Sequence, residues 1–235
     1  MAINGYLAMT AAEIEHSTPL PPNVAWMACH FSPYTRGLSN RPKELPPGAM
    51  LILNDITPIH GHEANLVASQ LLELVESLGS IGVLLDFQRA GYPDAADLAK
   101  VLLGALPCPV AVSEVYAENL DCPVFLPPVP LHQPLKEYLA PWQDREVWLE
   151  WSTEGEILTL TEHGCTVTPL PYPDFTTPGF AEETLHCHYT METNEKSARF
   201  TLWRTKEDWN ALMEDAEKLG VLAVVGLYQE LFSGL

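Results

Sequence analysis

Eight residues, Ile81-Gly82-Val83-Leu84-Leu85-Asp86-Phe87-Gln88, restrict the fold of this chain more than any other segment. A nearly unbroken apolar run, entered from Gly79 and left through Gly91, describes a strand covered on both faces. Strands of that kind belong to parallel sheets, where each strand needs a crossover to reach the next. Such folds collect their chemistry at the C-terminal strand ends. Asp86 and Gln88 stand at that end. Only the first of them is ionisable.

The same pattern recurs along the chain. Strands are predicted over Ile3–Met9, Val24–Phe31, Met50–Ile56, Ile81–Phe87, Val110–Val115, Val124–Leu126, Glu146–Trp151 and Val221–Tyr228. Between several of them lie helical spacings. Glu63–Leu78 carries Leu66, Val67, Leu71, Leu74, Val75 and Leu78 on one stripe, and Ala95–Leu106 and Lys206–Leu219 are similar. Thr205 can cap the last of these, with Asp208 at the box position. Alternation of strand and helix implies parallel pairing with right-handed crossovers. Eight strands over 235 residues point to a (β/α)8 TIM-type barrel, shortened or irregular, in one domain spanning residues 1–235. Ser152–Arg204 breaks the alternation. Ile157–Leu160 and Thr166–Leu170 flank His163-Gly164, and Leu185–Met191 and Ala198–Trp203 flank Asn194-Glu195. These read as two hairpins, either inserted on the barrel or with one replacing a barrel strand.

Charge narrows the ligand classes. A formal charge of -19, with only 12 Lys and Arg, disfavours nucleic acid and anionic membranes and suits neutral sugars or cationic ligands. No stretch reaches the ~18 apolar residues of a membrane span. The first residues show no basic region followed by a long apolar core, so a cytoplasmic location is expected. Five scattered cysteines with no C-x-x-C spacing read as reduced thiols.

With these residues in view, Ile81–Gln88 resembles the fourth-strand signature of glycoside hydrolase family 18, D-G-x-D-x-D-[WF]-E, most of all in the bacterial branch acting on spore-cortex or cell-wall glycans. Glu63–Leu78 resembles the helix that precedes the signature. Trp203–Gly226 resembles the segment where a hairpin leads into a last helix and a final strand, here Ala223–Leu231. The resemblance implies a barrel of that family. It also implies that Asp86 falls on the last signature aspartate, which orients the substrate's N-acetyl group, and that Gln88 falls on the glutamate that protonates the leaving oxygen. The first two aspartates fall on Ser80 or Ile81 and on Val83 or Leu84, and are absent. An amide cannot donate that proton, and losing such a transfer typically costs about a hundred- to ten-thousand-fold in rate. The expectation is a catalytically impaired relative that binds a carbohydrate or related small polar ligand at the barrel mouth. The alternative is an active glycosidase with relocated carboxylates, Glu114 or Glu150 with Asp86.

Read as strand tips, His30, Asp55, Asp86, Gln88, Glu114, Glu150 with Trp151, and Tyr228 with Glu230 converge on one face, although any one of these acids can instead cap a helix or face solvent. Asp86, Gln88, Glu114 and Glu150 are the catalytic candidates. His30, Asp55, Tyr116, Trp148, Tyr228 and Glu230 are the candidates for substrate binding, the aromatics because a ring stacks on the C–H face of a sugar. Strand alternation puts Trp148 and Glu150 on one face and Trp151 on the other. His60-Gly61-His62-Glu63 and the pair His186 and His188, two apart on one strand face, fall short of a metal-ligand set. No phosphate-binding glycine loop and no G-x-S-x-G elbow occur, so no cofactor is expected.

Overall fold

The computed structural model describes residues 3–59, 61–174, 176 and 178–232. Along the chain run β1 (Asn4–Met9), α1 (Ala11–His16), β2 (Val24–Phe31), β3 (Leu38–Ser39), β4 (Met50–Asn54), α2 (Ala64–Leu78), β5 (Val83–Asp86), α3 (Pro93–Ala105), β6 (Val110–Ser113), α4 (Glu114–Ala117), β7 (Val124–Leu126), α5 (Leu135–Leu139) and β8 (Val147–Trp151). Five further strands follow: β9 (Gly155–Thr161), β10 (Gly164–Leu170), β11 (Phe180–Glu182), β12 (Cys187–Thr193) and β13 (Ser197–Trp203). The chain then forms α6 (Lys206–Lys218), β14 (Val221–Leu227) and α7 (Tyr228–Phe232).

Eight strands pair in parallel in the order β1-β14-β8-β7-β6-β5-β4-β2, and β1 also pairs with β2. The sheet therefore closes into the (β/α)8-type barrel. All eight expected strands are barrel strands; Val24–Phe31 and Val124–Leu126 have the expected bounds, and the other six are trimmed. The strand expected over Ile81–Phe87 is regular only from Val83 to Asp86, and the one expected over Val110–Val115 stops at Ser113 because α4 begins at once.

Alternation along each strand builds two cores. Outward residues such as Leu53, Val83, Leu85 and Val112 meet the apolar stripe of α2, where Val67, Leu71, Leu74 and Val75 are buried, and that of α3. Helix α2 stops at Gly79, whose φ of 66° is the left-handed end that glycine adopts without strain. Inward residues fill the barrel. Ala8, Ala25, Ala111 and Ala223 are small, and the space they leave is taken by Phe125 and Trp148. The Trp148 ring stacks on Tyr6 at 6.5 Å and 17°.

The helical shell is incomplete. Residues 32–49, between β2 and β4, hold no helix; β3 returns antiparallel to β2 and an extended strap follows. The two expected hairpins are β9–β10 and β12–β13, inserted after β8, and neither replaces a barrel strand. Pairing of β9 with β13, and of β11 with β12, makes them one five-stranded antiparallel sheet. Helix α6 starts on the Thr205–Asp208 capping box.

A buried cation, Arg204, joins this sheet to the barrel. Arg204, 6% exposed, donates from Nη1 to the Val129 carbonyl at 2.7 Å and from Nε to that of His186 at 3.1 Å. Nη2 reaches the Pro130 and Leu185 carbonyls at 3.3 and 3.4 Å, and the guanidinium lies 5.2 Å from the Trp209 ring centre. Burial lowers its pKa to about 10, so it stays charged near neutrality. Arg204→Leu leaves four carbonyl acceptors without this donor at once, the Val129 oxygen buried and the other three part-buried. Urea unfolding of that variant is expected to show a loss of about 3 kcal/mol or more.

Candidate functional site

The register places a row of inward side chains at the C-terminal opening. His30 of β2 lies opposite Asn54 of β4, and Asn54 opposite Asp86 of β5. Asp86 shares the inward face of its strand with Leu84, and Ser113 follows Ala111 in the same way on β6. On β8 the inward face runs from Trp148 to Glu150. The carboxylates of Asp86 and Glu150 thus enter one opening from well-separated strands, as barrel active sites are assembled.

Asp86 is largely buried. Loss of hydration raises its carboxyl pKa, the amide of Gln88 opposes that by donating from Nε2 to Oδ1 at 2.5 Å, and the charge of Asp55 raises it further. The Ser113 hydroxyl adds a weaker contact at 3.4 Å while bonding the Leu85 carbonyl at 3.2 Å. Gln88 itself is exposed, so its amide caps Asp86 from the solvent side.

The segment carrying Gln88 is pinned from below. Asp55, 4% exposed, accepts the Arg89 backbone N–H at 2.9 Å. The Tyr116 hydroxyl donates to the Arg89 carbonyl at 2.5 Å and accepts from the Tyr92 N–H at 3.3 Å, with its ring edge-on to Phe87. Arg89 Nη2 also bonds the Ile56 carbonyl at 3.0 Å. Asp55 and Tyr116 were candidates for touching a ligand; in the structure their polar atoms are committed to backbone, and they position Gln88 instead.

Glu150 is different. Burial raises its pKa to about 7, and the charges of Asp86, Glu230 and Glu154 add to the rise. Among the described residues no donor holds its carboxylate. Nearby, the Tyr138 hydroxyl donates to the Pro127 carbonyl at 2.9 Å, and burial with the charges of Glu114 and Glu150 pushes its pKa up. Glu114 opens α4; burial raises its pKa, with no contribution from Asp86.

The other candidates are placed as follows. Glu230 accepts the Ser152 hydroxyl at 3.0 Å and the Thr153 N–H at 3.1 Å, tying the end of β8 to α7. Tyr228 receives a contact of 3.4 Å from the Ser17 hydroxyl. Burial lowers the pKa of His30, opposed by a backbone contact at Cys29, and its Nε2 lies 2.9 Å from the Asn40 amide nitrogen. Trp148 is a correction. It does share a face with Glu150, but its ring lies deeper, 8% exposed, against Tyr6 and the backbone near Gly82, as barrel core rather than ligand surface. Trp151 faces outward onto Trp209 at 5.2 Å.

His60 lies outside the described residues. His62 bonds the Ser32 carbonyl at 3.0 Å and Glu63 pairs with Arg36 at 2.7 Å. His186 is not on the strand face with His188. It sits in the turn before β12 with φ of 49°, and the two contact Asp215 and Asp208 respectively. Among the described residues no three His, Cys, Asp or Glu side chains form a metal-binding group. Hollows of about 360 and 500 Å³, one beside Ile3 and Met213 and one between Arg41 and Ser77, are lined by none of the mouth residues. Asn54, Ser113 and Tyr138 were not singled out from sequence. Alternation from Met50 and Ile52, and from Ala111, carries the signal for the first two; nothing local marks Tyr138.

No family model matches the sequence, and no curated protein sequence matches it. Solved structures do. The family 18 N-acetylglucosaminidase of Paenibacillus barengoltzii aligns over 99% of this chain and 98% of its own, at 9% identity and a TM-score of 0.64. The chain has the fold of glycoside hydrolase family 18 structures. The Bacillus cereus spore cortex-lytic enzyme SleL aligns over 96% of this chain and 70% of its own, at 10% identity and 0.57. A family 18 chitinase of Cycas revoluta, a double mutant with one glutamate changed to glutamine and in complex with (GlcNAc)4, aligns over 95% and 94%, at 9% and 0.56.

The raised Glu150 pKa has a defined effect on stability. The folded chain binds this proton more tightly than the unfolded chain, so the contribution is complete below the ordinary glutamate pKa and is lost as pH rises through about 7. Glu150→Gln removes that loss. In urea unfolding the variant is expected to exceed the wild type by about 2–3 kcal/mol at pH 8 and to match it at pH 4.

Proposed function

We propose that the barrel mouth binds a carbohydrate bearing acetamido groups, of the N-acetylglucosamine oligosaccharide class, and that proton donation from position 88 is lost. The observation that carries this reading is the Asp86–Gln88 hydrogen bond at the end of the fourth barrel strand, β5. By resemblance, Asp86 is the carboxylate that holds the acetamido N–H, and Gln88 occupies the proton-donor position. The Gln88 amide keeps an unprotonated oxygen on Asp86, which suits an acceptor role toward an amide, and it offers a ligand hydrogen bonds but no proton.

The fold shared with the Cycas revoluta chitinase mutant supports the reading, since that barrel holds (GlcNAc)4 with a glutamate replaced by glutamine. The chain's charge agrees too, because an uncharged glycan escapes the repulsion that a polyanion meets.

Titration calorimetry with chito-oligosaccharides of two to six units tests this. Binding at millimolar or tighter affinity is expected, weakened about tenfold or more by Asp86→Ala. Absence of any heat or thermal shift at millimolar oligosaccharide overturns the reading.

A further inference from the structure

We infer that Glu150 is the proton donor and acceptor that position 88 lacks, so that the mouth slowly cleaves the glycoside it binds. This rests on the carbohydrate reading above and adds an activity to it.

Geometry selects Glu150 over Glu114. Glu150 projects inward from β8, on the face that carries Trp148 below it, into the opening that Asp86 enters from β5. Glu114 belongs to a short helix outside that row. The charges that act on Glu150 come from separate elements: Asp86 from β5, Glu230 from α7 and Glu154 from the segment after β8, while the neighbouring Tyr138 of α5 is a neutral phenol. All are acids, and no Lys, Arg or His forms an ion pair with Glu150 among the described residues. The carboxyl therefore holds its proton near neutrality, the condition under which a general acid works best. Two carboxyl groups face one opening, Asp86 accepting from the Gln88 amide and the Ser113 hydroxyl and Glu150 held by no donor among the described residues, and that difference supports an acid and base assignment.

The step balances without an oxidant or reductant. The Glu150 proton passes to the glycosidic oxygen as the bond from C1 to that oxygen breaks, and the bonding pair leaves with the oxygen. The substrate's acetamido oxygen bonds to C1 and closes a five-membered ring, whose N–H Asp86 holds. Water then adds at C1, the ring opens, and the water's proton returns to the Glu150 carboxylate. The sum is one glycoside and one water giving two sugars.

The test is release of a fluorogenic aglycone from N-acetylglucosamine oligosaccharides by the full chain between pH 4 and 9, with binding followed in parallel by calorimetry. Turnover is expected to fall about tenfold per pH unit above pH 7. Glu150→Gln should lower it about a hundredfold or more and erase that limb, with oligosaccharide affinity changed less than about threefold. Glu150→Asp, which keeps a carboxyl, should retain the limb at reduced rate. Glu76→Gln, on the exposed face of α2, serves as the control at wild-type rate. Binding without turnover, or turnover and its limb surviving in Glu150→Gln, overturns the inference and leaves the carbohydrate reading standing. Absence of binding removes that reading, and this one with it.

Discussion

Pairing of β1 with both β14 and β2 is the constraint on which the rest of the molecule depends. Closure leaves the barrel no free strand edge and turns one face of every strand inward. Inside, four alanines lie beside Phe125 and Trp148, a pairing of small and large that makes sense only when opposite walls face each other. Closure also brings β8 across from β5. Without it, Glu150 would not sit in the field of Asp86, and neither carboxyl would be shielded from water.

The strands were legible because their apolar runs are continuous, which is what burial on both faces demands. Their ends were less so. Val115 extends an apolar pattern, yet Glu114–Ala117 folds as a helix, so the tertiary turn overrides β-propensity. The two hairpins were visible from their turn residues. Their union through β9 and β13 was not, because strand neighbours distant in sequence leave no local mark. Among site residues, alternation gave the facing of Trp148, Glu150 and Trp151 but not their depth. Trp148 sits a layer below the opening. Asp55 stands next to Asn54 in sequence, and it is Asn54 that lies in the inward row, while Asp55 spends its charge on a backbone N–H. The hydroxyls of Ser113 and Tyr138 matter through neighbours supplied by other elements, which no spacing encodes.

The inserted sheet shows how a fold adds surface without disturbing its core. Arg204 reaches backbone carbonyls rather than carboxylates, so it fixes three segments without needing a paired acid. On the sheet itself Phe180, Tyr189 and Phe200 form a ladder with ring centres 5.7 and 6.0 Å apart, and Phe180 is largely exposed. The ladder continues the side-chain pairing of β11, β12 and β13 rather than the packing of the barrel.

The burial of the mouth carboxyls separates two kinds of charge in this strongly acidic chain. At physiological ionic strength the screening length is about 8 Å, and exposed acids spaced more widely than that barely sense one another. Dissolved ions do not enter the shielded space between Asp86 and Glu150 as readily. Adding salt therefore quiets the outer anionic coat while the pull of the Asp86 charge on the Glu150 proton persists, so the protein's long-range field and its local proton affinity respond to electrolyte as separate properties.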